Sequence, residues 1–208
     1  MLQIETVEPL ALSVLRQLME MTELKNFSLV GGTALSLLYG HRKSNDLDLF
    51  SDKPFKNEKI INILKSRFGK KFTMEEKPPR FGIFCFIDEI KIEIIHQPHP
   101  LIRSQQTIDN VQLYSIEDII AMKVQAILGR GKKKDFWDIA ELLNHYSVAD
   151  FIRFHKEKYA TQNLLITVPQ ALTYFADAEE SGDPVSLKSQ TWKEVQGFIN
   201  SKVSKYLL

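Results

Sequence analysis

The chain reads as an α+β protein, with a mixed α/β part over residues 1–114 and an all-helical part over 115–208. Three observations predict this. Short alternating runs, "DLDLF", "RFGIFCFI" and "IKIEIIHQ", fall before residue 100. From Ser115 onward the apolar residues recur at helical spacing instead. No Pro-, Gly- or Ser-rich linker separates the two parts, which predicts that the helices pack against the first part.

Taken in order, Leu10, Val14, Leu15, Leu18 and Met21 mark an amphipathic helix from Pro9 to Leu24. "FSLV" is a short strand that runs into Gly31-Gly32, and Thr33 to Tyr39 is helical, with Gly40 as its stop. "DLDLF" is a strand by strict alternation, and Glu58 to Phe68 is a helix. After a turn at Pro78-Pro79, two apolar strands flank Asp88-Glu89 as a hairpin. Four helical stretches follow: "SIEDIIAMKVQAILGR", "KKKDFWDIAELLNHY", "VPQALTYFADAEE" and "LKSQTWKEVQGFINSKVSKYLL", with "SGDP" as the loop before the last.

Composition narrows the function classes. A formal net charge of +1 excludes a global basic field, so a nucleic-acid partner would need a local patch. The single cysteine, Cys85, lies in an apolar run, which excludes a disulfide framework and suits a reducing compartment. The N-terminus lacks a basic leader and a small-residue cleavage site, and no apolar run reaches the roughly 18 residues of a membrane span. These features predict a cytoplasmic protein with no membrane partner. Trp137, Trp192, Phe84 and Phe86 read as packing residues, and His96 and His99 are set aside as metal ligands.

The chemistry sits where a strand should not carry charge. Alternation in "DLDLF" sends Leu47 and Leu49 to the core and brings Asp46 and Asp48 out together on the opposite face. Carboxylates at i and i+2 can share a hard divalent cation such as Mg²⁺ or Mn²⁺. In "IKIEII", Glu93 sits opposite the inward isoleucines. If its strand neighbours "DLDLF", Glu93 completes a three-carboxylate cluster of the kind used in phosphoryl or nucleotidyl transfer. Gly31-Gly32, at a strand-to-helix junction, predicts a phosphate seat, with the Thr33 hydroxyl beside it.

On a helical wheel Lys123 faces the apolar arc, away from the polar side that holds Asp118 and Gln125. Asp135 faces inward too, Asp138 sits at the edge of its stripe, and Glu141 lies outside it. Lys123 and Asp135 are thus either an interhelical ion pair or part of a phosphate site, and both can hold. Arg130, the lysines of "GRGKKKD", Arg42 and Lys43 could border the mouth of such a site.

These residues resemble the polymerase-beta-type nucleotidyltransferase superfamily, whose hydrophobic-Gly-Gly and D-x-D elements match "VGG" and "DLD", with Glu93 as the later acid. More widely, "GGTALSLLYGHRKSNDLDLF" with "AMKVQAILGRGKKKDFWDIAELL" resembles the AbiEii-type nucleotidyltransferases. These are toxin halves of bacterial type IV abortive-infection toxin–antitoxin systems, with the MenT toxins as relatives. "QALTYFADAEESGDPV" and "TWKEVQGFI" extend the resemblance over nearly the whole chain.

The resemblance implies transfer of a nucleoside monophosphate from an NTP to an acceptor hydroxyl on tRNA or protein, with an antitoxin as partner. It implies Gly31, Gly32, Thr33, Arg42, Ser44 and Lys123 as nucleotide-binding residues. Asp46, Asp48 and Glu93 become metal ligands, and Lys123 and Asp135 act with them, Asp138 being the alternative aspartate. Two further readings stand beside it: a catalytically degenerate nucleotide-binding regulator, and a D-x-D nucleotide-sugar glycosyltransferase. Phe50 stands where a D-x-D-x-[TV] phosphatase needs Thr or Val.

Overall fold

A computed structural model describes residues 1–74 and 79–208. Pro78 of the expected Pro78-Pro79 turn lies outside the described residues. The chain divides into two compact units. Unit 1 comprises Met1–Leu38, Ser44–Pro100 and Ser104–Tyr114, and unit 2 comprises Tyr39–Lys43, Leu101–Arg103 and Ser115–Leu208.

Unit 1 is built on a seven-stranded mixed sheet. Its strands are β1 (Ser28–Val30), β2 (Leu47–Ser51), β3 (Phe72–Thr73), β4 (Gly82–Ile87), β5 (Ile90–His96), β6 (Gln106–Ile108) and β7 (Val111–Leu113). They lie in the order β3-β4-β5-β2-β1-β7-β6. β2 runs parallel to β5 and antiparallel to β1, while β4 and β5 form an antiparallel hairpin. Asp88 and Glu89, at the tip of that hairpin, both adopt positive φ, the geometry whose twist matches paired strands.

The helices α1 (Pro9–Met19) and α3 (Asn57–Phe68) cover the sheet, α1 against β5 and β7 and α3 against β3 and β4. Leu47, Leu49, Ile83, Cys85, Ile87, Ile92 and Ile94 form the buried side of the strands. Alternation therefore puts Phe84 and Phe86 on the other side. Phe84 is exposed and Phe86 half-buried, so they are not the core residues that hydrophobicity suggested.

The first helix stops at Met19, and a separate 3₁₀ turn at Thr22–Leu24 replaces the expected continuation. The helix α2 (Gly31–Tyr39) begins two residues earlier than expected, directly on the last residue of β1. The β6–β7 hairpin had no counterpart in the sequence reading. Its signal is Asp109-Asn110, both at positive φ, between two β-prone triplets.

Unit 2 holds α4 (Ile116–Arg130), α5 (Lys133–Leu142), α6 (Val148–Lys158), α7 (Val168–Leu172) and α8 (Trp192–Leu207). Ser115, Ser147, Thr167 and Thr191 cap α4, α6, α7 and α8 with their hydroxyls. α6, which the sequence reading did not single out, packs on α4 and α8. The stretch 168–180 is not one helix, since α7 ends at Leu172 and a 3₁₀ segment follows at Ala176–Glu180. Similarly, 187–191 precede α8 in non-helical form.

Trp137 stacks on Trp192 with ring centres 5.6 Å apart, and Phe136 and Phe175 meet the same ring edge-on. Residues 41–43 pair with 185–187 through Leu187 N–H to His41 O and Lys43 N–H to Val185 O, both 2.9 Å. Among the described residues no helix is long and apolar enough to cross a membrane.

Candidate active site

In unit 1, Asp48 leaves the core side of β2 because Leu47 and Leu49 occupy it. Asp48 is in register with Glu93 on parallel β5 and with Val30 on antiparallel β1. In-register partners project to one face about 4.8 Å apart, so Asp48 and Glu93 stand side by side. Asp46 immediately precedes β2.

Gly31 has φ +71, and a Cβ there would lie 2.4 Å from Asp48 Oδ2. The missing side chain is what lets the carboxylate reach the strand-to-helix junction. Thr33 is 1% exposed, and its hydroxyl contacts the backbone oxygen of Asp46 and the Ser44 hydroxyl, the latter at 2.9 Å. A carbonyl only accepts, so Thr33 donates to Asp46 O and Ser44 donates to Thr33. Thr33 and Ser44 thereby tie the first turn of α2 to the loop that carries Asp46.

The carboxylate face already holds one cation, since the Lys91 ammonium donates to Glu93 Oε1. That hydrogen bond chiefly raises the Lys91 pKa; partial burial opposes the rise, and the charges of Glu93, Asp46 and Asp48 add to it. All three carboxylates therefore act on one ammonium, and their hard oxygens are the donors a small divalent ion prefers. A ready three-ligand cage is not formed: among the described residues no three His, Cys, Asp or Glu are gathered in a group that could hold a metal ion.

Unit 2 contains a buried charge network. Lys123 donates to Asp135 Oδ1 at 2.8 Å and lies 2.7 Å from Asp138 Oδ2. Arg42 grips Asp138 with both arms of its fork, Nε to Oδ1 at 2.7 Å and Nη2 to Oδ2 at 2.9 Å. His41 Nε2 is 2.7 Å from the same Oδ1. Burial alone would raise the Asp138 carboxyl pKa, but Arg42, Lys123 and His41 hold it well below the ordinary value. Burial likewise works against the Lys123 charge, and Asp135 and Asp138 overcome it and raise its pKa.

The interhelical Lys123–Asp135 pair is thus present. Asp138, placed at the edge of its stripe by the helical wheel, is 0% exposed and is the centre of the network. Arg42 is likewise buried against Asp138 and does not border an open mouth.

Two more carboxylates differ from the wheel reading. Asp118, assigned to the polar side, is fully buried and accepts from Lys158 Nζ at 2.7 Å, Ser115 Oγ at 2.6 Å, and the backbone N–H groups of Ile102 and Arg103. Glu141, placed outside its stripe, is buried and paired with Lys188 at 2.8 Å. The basic run "GRGKKKD" is matched by acids: Arg130 and Lys132 share an open cavity with Asp177 and Glu180, and Lys133 pairs with Asp183 at 2.8 Å.

A glycine seat abutting one strand carboxylate, with a second carboxylate in register beside it, is what the nucleotidyltransferase resemblance implies for Gly31, Asp48 and Glu93. The AbiEii family, described as nucleotidyl transferase AbiEii toxins of a type IV toxin–antitoxin system, matches residues 13–194. The chain is also 31% identical over 188 residues to an uncharacterized protein of Aquifex aeolicus strain VF5, covering 88% of each chain. Two solved structures share the fold. JHP933 from Helicobacter pylori has a TM-score of 0.58 at 19% identity, covering 96% of this chain and 92% of that one. MenT4, a nucleotidyltransferase toxin from Mycobacterium tuberculosis H37Rv, has a TM-score of 0.59 at 12% identity, covering 94% and 83%. The chain belongs to the AbiEii family of nucleotidyltransferase toxins.

Proposed function

We propose that unit 1 carries the transfer of a nucleoside monophosphate from an NTP to an acceptor hydroxyl. The observation that supports this best is the register of Asp48 with Glu93 directly beside Gly31. Free backbone N–H groups at Gly31 and Gly32, at the start of α2, seat the triphosphate. The acceptor oxygen attacks the α-phosphorus, the bond to the bridging oxygen breaks, and pyrophosphate leaves. Glu93 stands beside the attacking hydroxyl and draws off its proton. Asp46, Asp48 and Glu93 would hold Mg²⁺ or Mn²⁺, which when bound supplies positive charge at the phosphoryl oxygens.

Within unit 2, the Lys123–Asp135 pair is proposed as a phosphate-binding position. Asp138 is fixed by Arg42 and His41, whereas Asp135 has fewer charged partners and is slightly exposed at 8%. A phosphate can replace Asp135 at the Lys123 ammonium without leaving that charge unpaired. Family membership supports a toxin role, with a cognate antitoxin as partner. Expression alone should then slow bacterial growth, and the antitoxin should relieve it. The lone thiol and the NTP substrate suit action in the cytoplasm.

The test is incubation with each α-³²P-labelled NTP, Mg²⁺, and total tRNA or total protein. Asp48→Asn and Glu93→Gln should abolish labelling while leaving the circular-dichroism spectrum and melting curve intact. Labelling that survives either change would sink the assignment. NTP binding without any labelling would move the chain to the nucleotide-binding regulators.

A further inference from the structure

The register that sets Asp48 beside Glu93 continues one strand further, because Glu93 is the in-register partner of Phe84 on β4. Across β1, β2, β5 and β4 the row reads Val30, Asp48, Glu93, Phe84. Phe84 therefore flanks Glu93 on the side away from Asp48 and the glycine seat. Nothing in the core demands an aromatic there, because Ile83, Cys85 and Ile87 supply the buried side of the strand. Yet Phe84 is 37% exposed and its neighbour Phe81 is 55% exposed. Their ring centres are 5.9 Å apart with planes at 81°, an edge-to-face corner that leaves a ring face open to a planar partner. An exposed cation borders this corner: Arg80 immediately precedes Phe81, while Lys91 is held by Glu93.

We propose that Phe81 and Phe84 form the stacking platform for the terminal base of a single-stranded nucleic-acid acceptor. This rests on the transfer reading above, which puts the NTP phosphates at Gly31 and the attacking hydroxyl at Glu93. The ring received at the Phe84 end of the row then belongs to the acceptor and not to the NTP. An acceptor that offers a hydroxyl next to a planar ring and is followed by phosphodiesters matches Glu93, the aromatic corner, and Arg80 in turn. Base–aromatic stacking on a cationic strand is the general device of sequence-tolerant single-strand binding.

The experiment uses the full chain with a short oligoribonucleotide bearing a free 3′-hydroxyl. It compares wild type, Phe81→Ala, Phe84→Ala and Phe84→Trp by transfer kinetics and by fluorescence anisotropy of the labelled oligonucleotide. Each alanine should raise KM for the oligonucleotide roughly ten- to hundredfold, with KM for NTP unchanged. Phe84→Trp should restore the wild-type value. Labelled RNA with an unmoved acceptor KM would overturn the platform and leave the transferase standing. Label on protein in place of RNA would overturn the acceptor class. If wild type transfers nothing, the reaction reading fails and anisotropy decides: oligonucleotide binding lost in Phe84→Ala upholds the platform, and binding that is absent or indifferent to Phe84 overturns it.

Discussion

Asp48 occupies the space that a side chain on Gly31 would need. Gly31 opens α2 and Asp48 lies in β2, yet Oδ2 of the aspartate lies 2.4 Å from the position of a Cβ on the glycine. The glycine is required twice, by its positive φ and by this approach. Gly31→Ala should cost about 1–3 kcal/mol from backbone conformation alone, and must also displace the carboxylate. Urea denaturation measures the first effect. A loss of NTP affinity exceeding the loss of stability measures the second.

Asp138 neutralises Arg42 and Lys123 inside unit 2, so deleting it removes the carboxylate that Arg42 grips and leaves Lys123 with Asp135. Asp138→Ala should destabilise by about 3–5 kcal/mol, the usual consequence of stripping one partner from a buried pair. Asp135→Asn should cost much less, because Lys123 keeps Asp138. Equal midpoints for the two variants in chemical denaturation would show that Asp138 is not the organising acid.

The same network sets a pH dependence at both ends. Because the Asp138 pKa is depressed in the folded state, its stabilisation is complete above the unfolded carboxyl value near about 3.9 and is lost as pH falls below it. Because the Lys123 pKa is raised, its share is complete below the unfolded lysine value near about 10.4 and is lost as pH rises beyond it. Urea midpoints of wild type and Asp138→Asn should begin to converge as pH falls below about 4 and keep converging as it falls further. A gap that stays constant at all acid pH values would contradict the assignment.

Lys158 and Asp118 are both fully shielded from solvent and 2.7 Å apart. Lys158→Met should cost about 3–5 kcal/mol, because it removes one partner of a fully buried ion pair. Adding Asp118→Asn should recover part of that loss, giving a coupling of about 0.5–3 kcal/mol in a double-mutant cycle. Strict additivity would mean that the pair contributes through its other contacts alone.

Cys85 lies on the buried side of β4, and burial pushes its thiol pKa up to about 12. In the native protein it should resist thiol reagents at neutral pH and react only once the sheet opens. Its labelling rate under native conditions therefore reports opening of unit 1, and rapid labelling without denaturant would refute this placement.

What could be read from the sequence was local. Alternation in "DLDLF" and the Asp88-Glu89 turn are short-range patterns, and the sheet realises both. The helical wheel turned Lys123 inward, where its partners lie. Partners remote in sequence were not readable. Arg42 reaches Asp138 across 96 residues and Lys158 reaches Asp118 across 40, and no window contains either pair. The wheel also misjudged Asp118, Asp138 and Glu141, because it takes the buried side from one helix's apolar arc and cannot see a cation that another element supplies. Phe84 fails for the converse reason, since hydrophobicity said core while alternation said surface.

Residues 39–43 and 101–103 are inserted from the sheet-forming part of the chain into the helical unit. His41 and Arg42 are held there by Asp138, and the Ile102 and Arg103 backbones by Asp118. A chimera that exchanges everything after Tyr114 for the corresponding part of a relative would thus inherit sockets without their plugs. A recombination that keeps these contacts must carry three stretches together, so the helical unit is not transferable as one continuous segment.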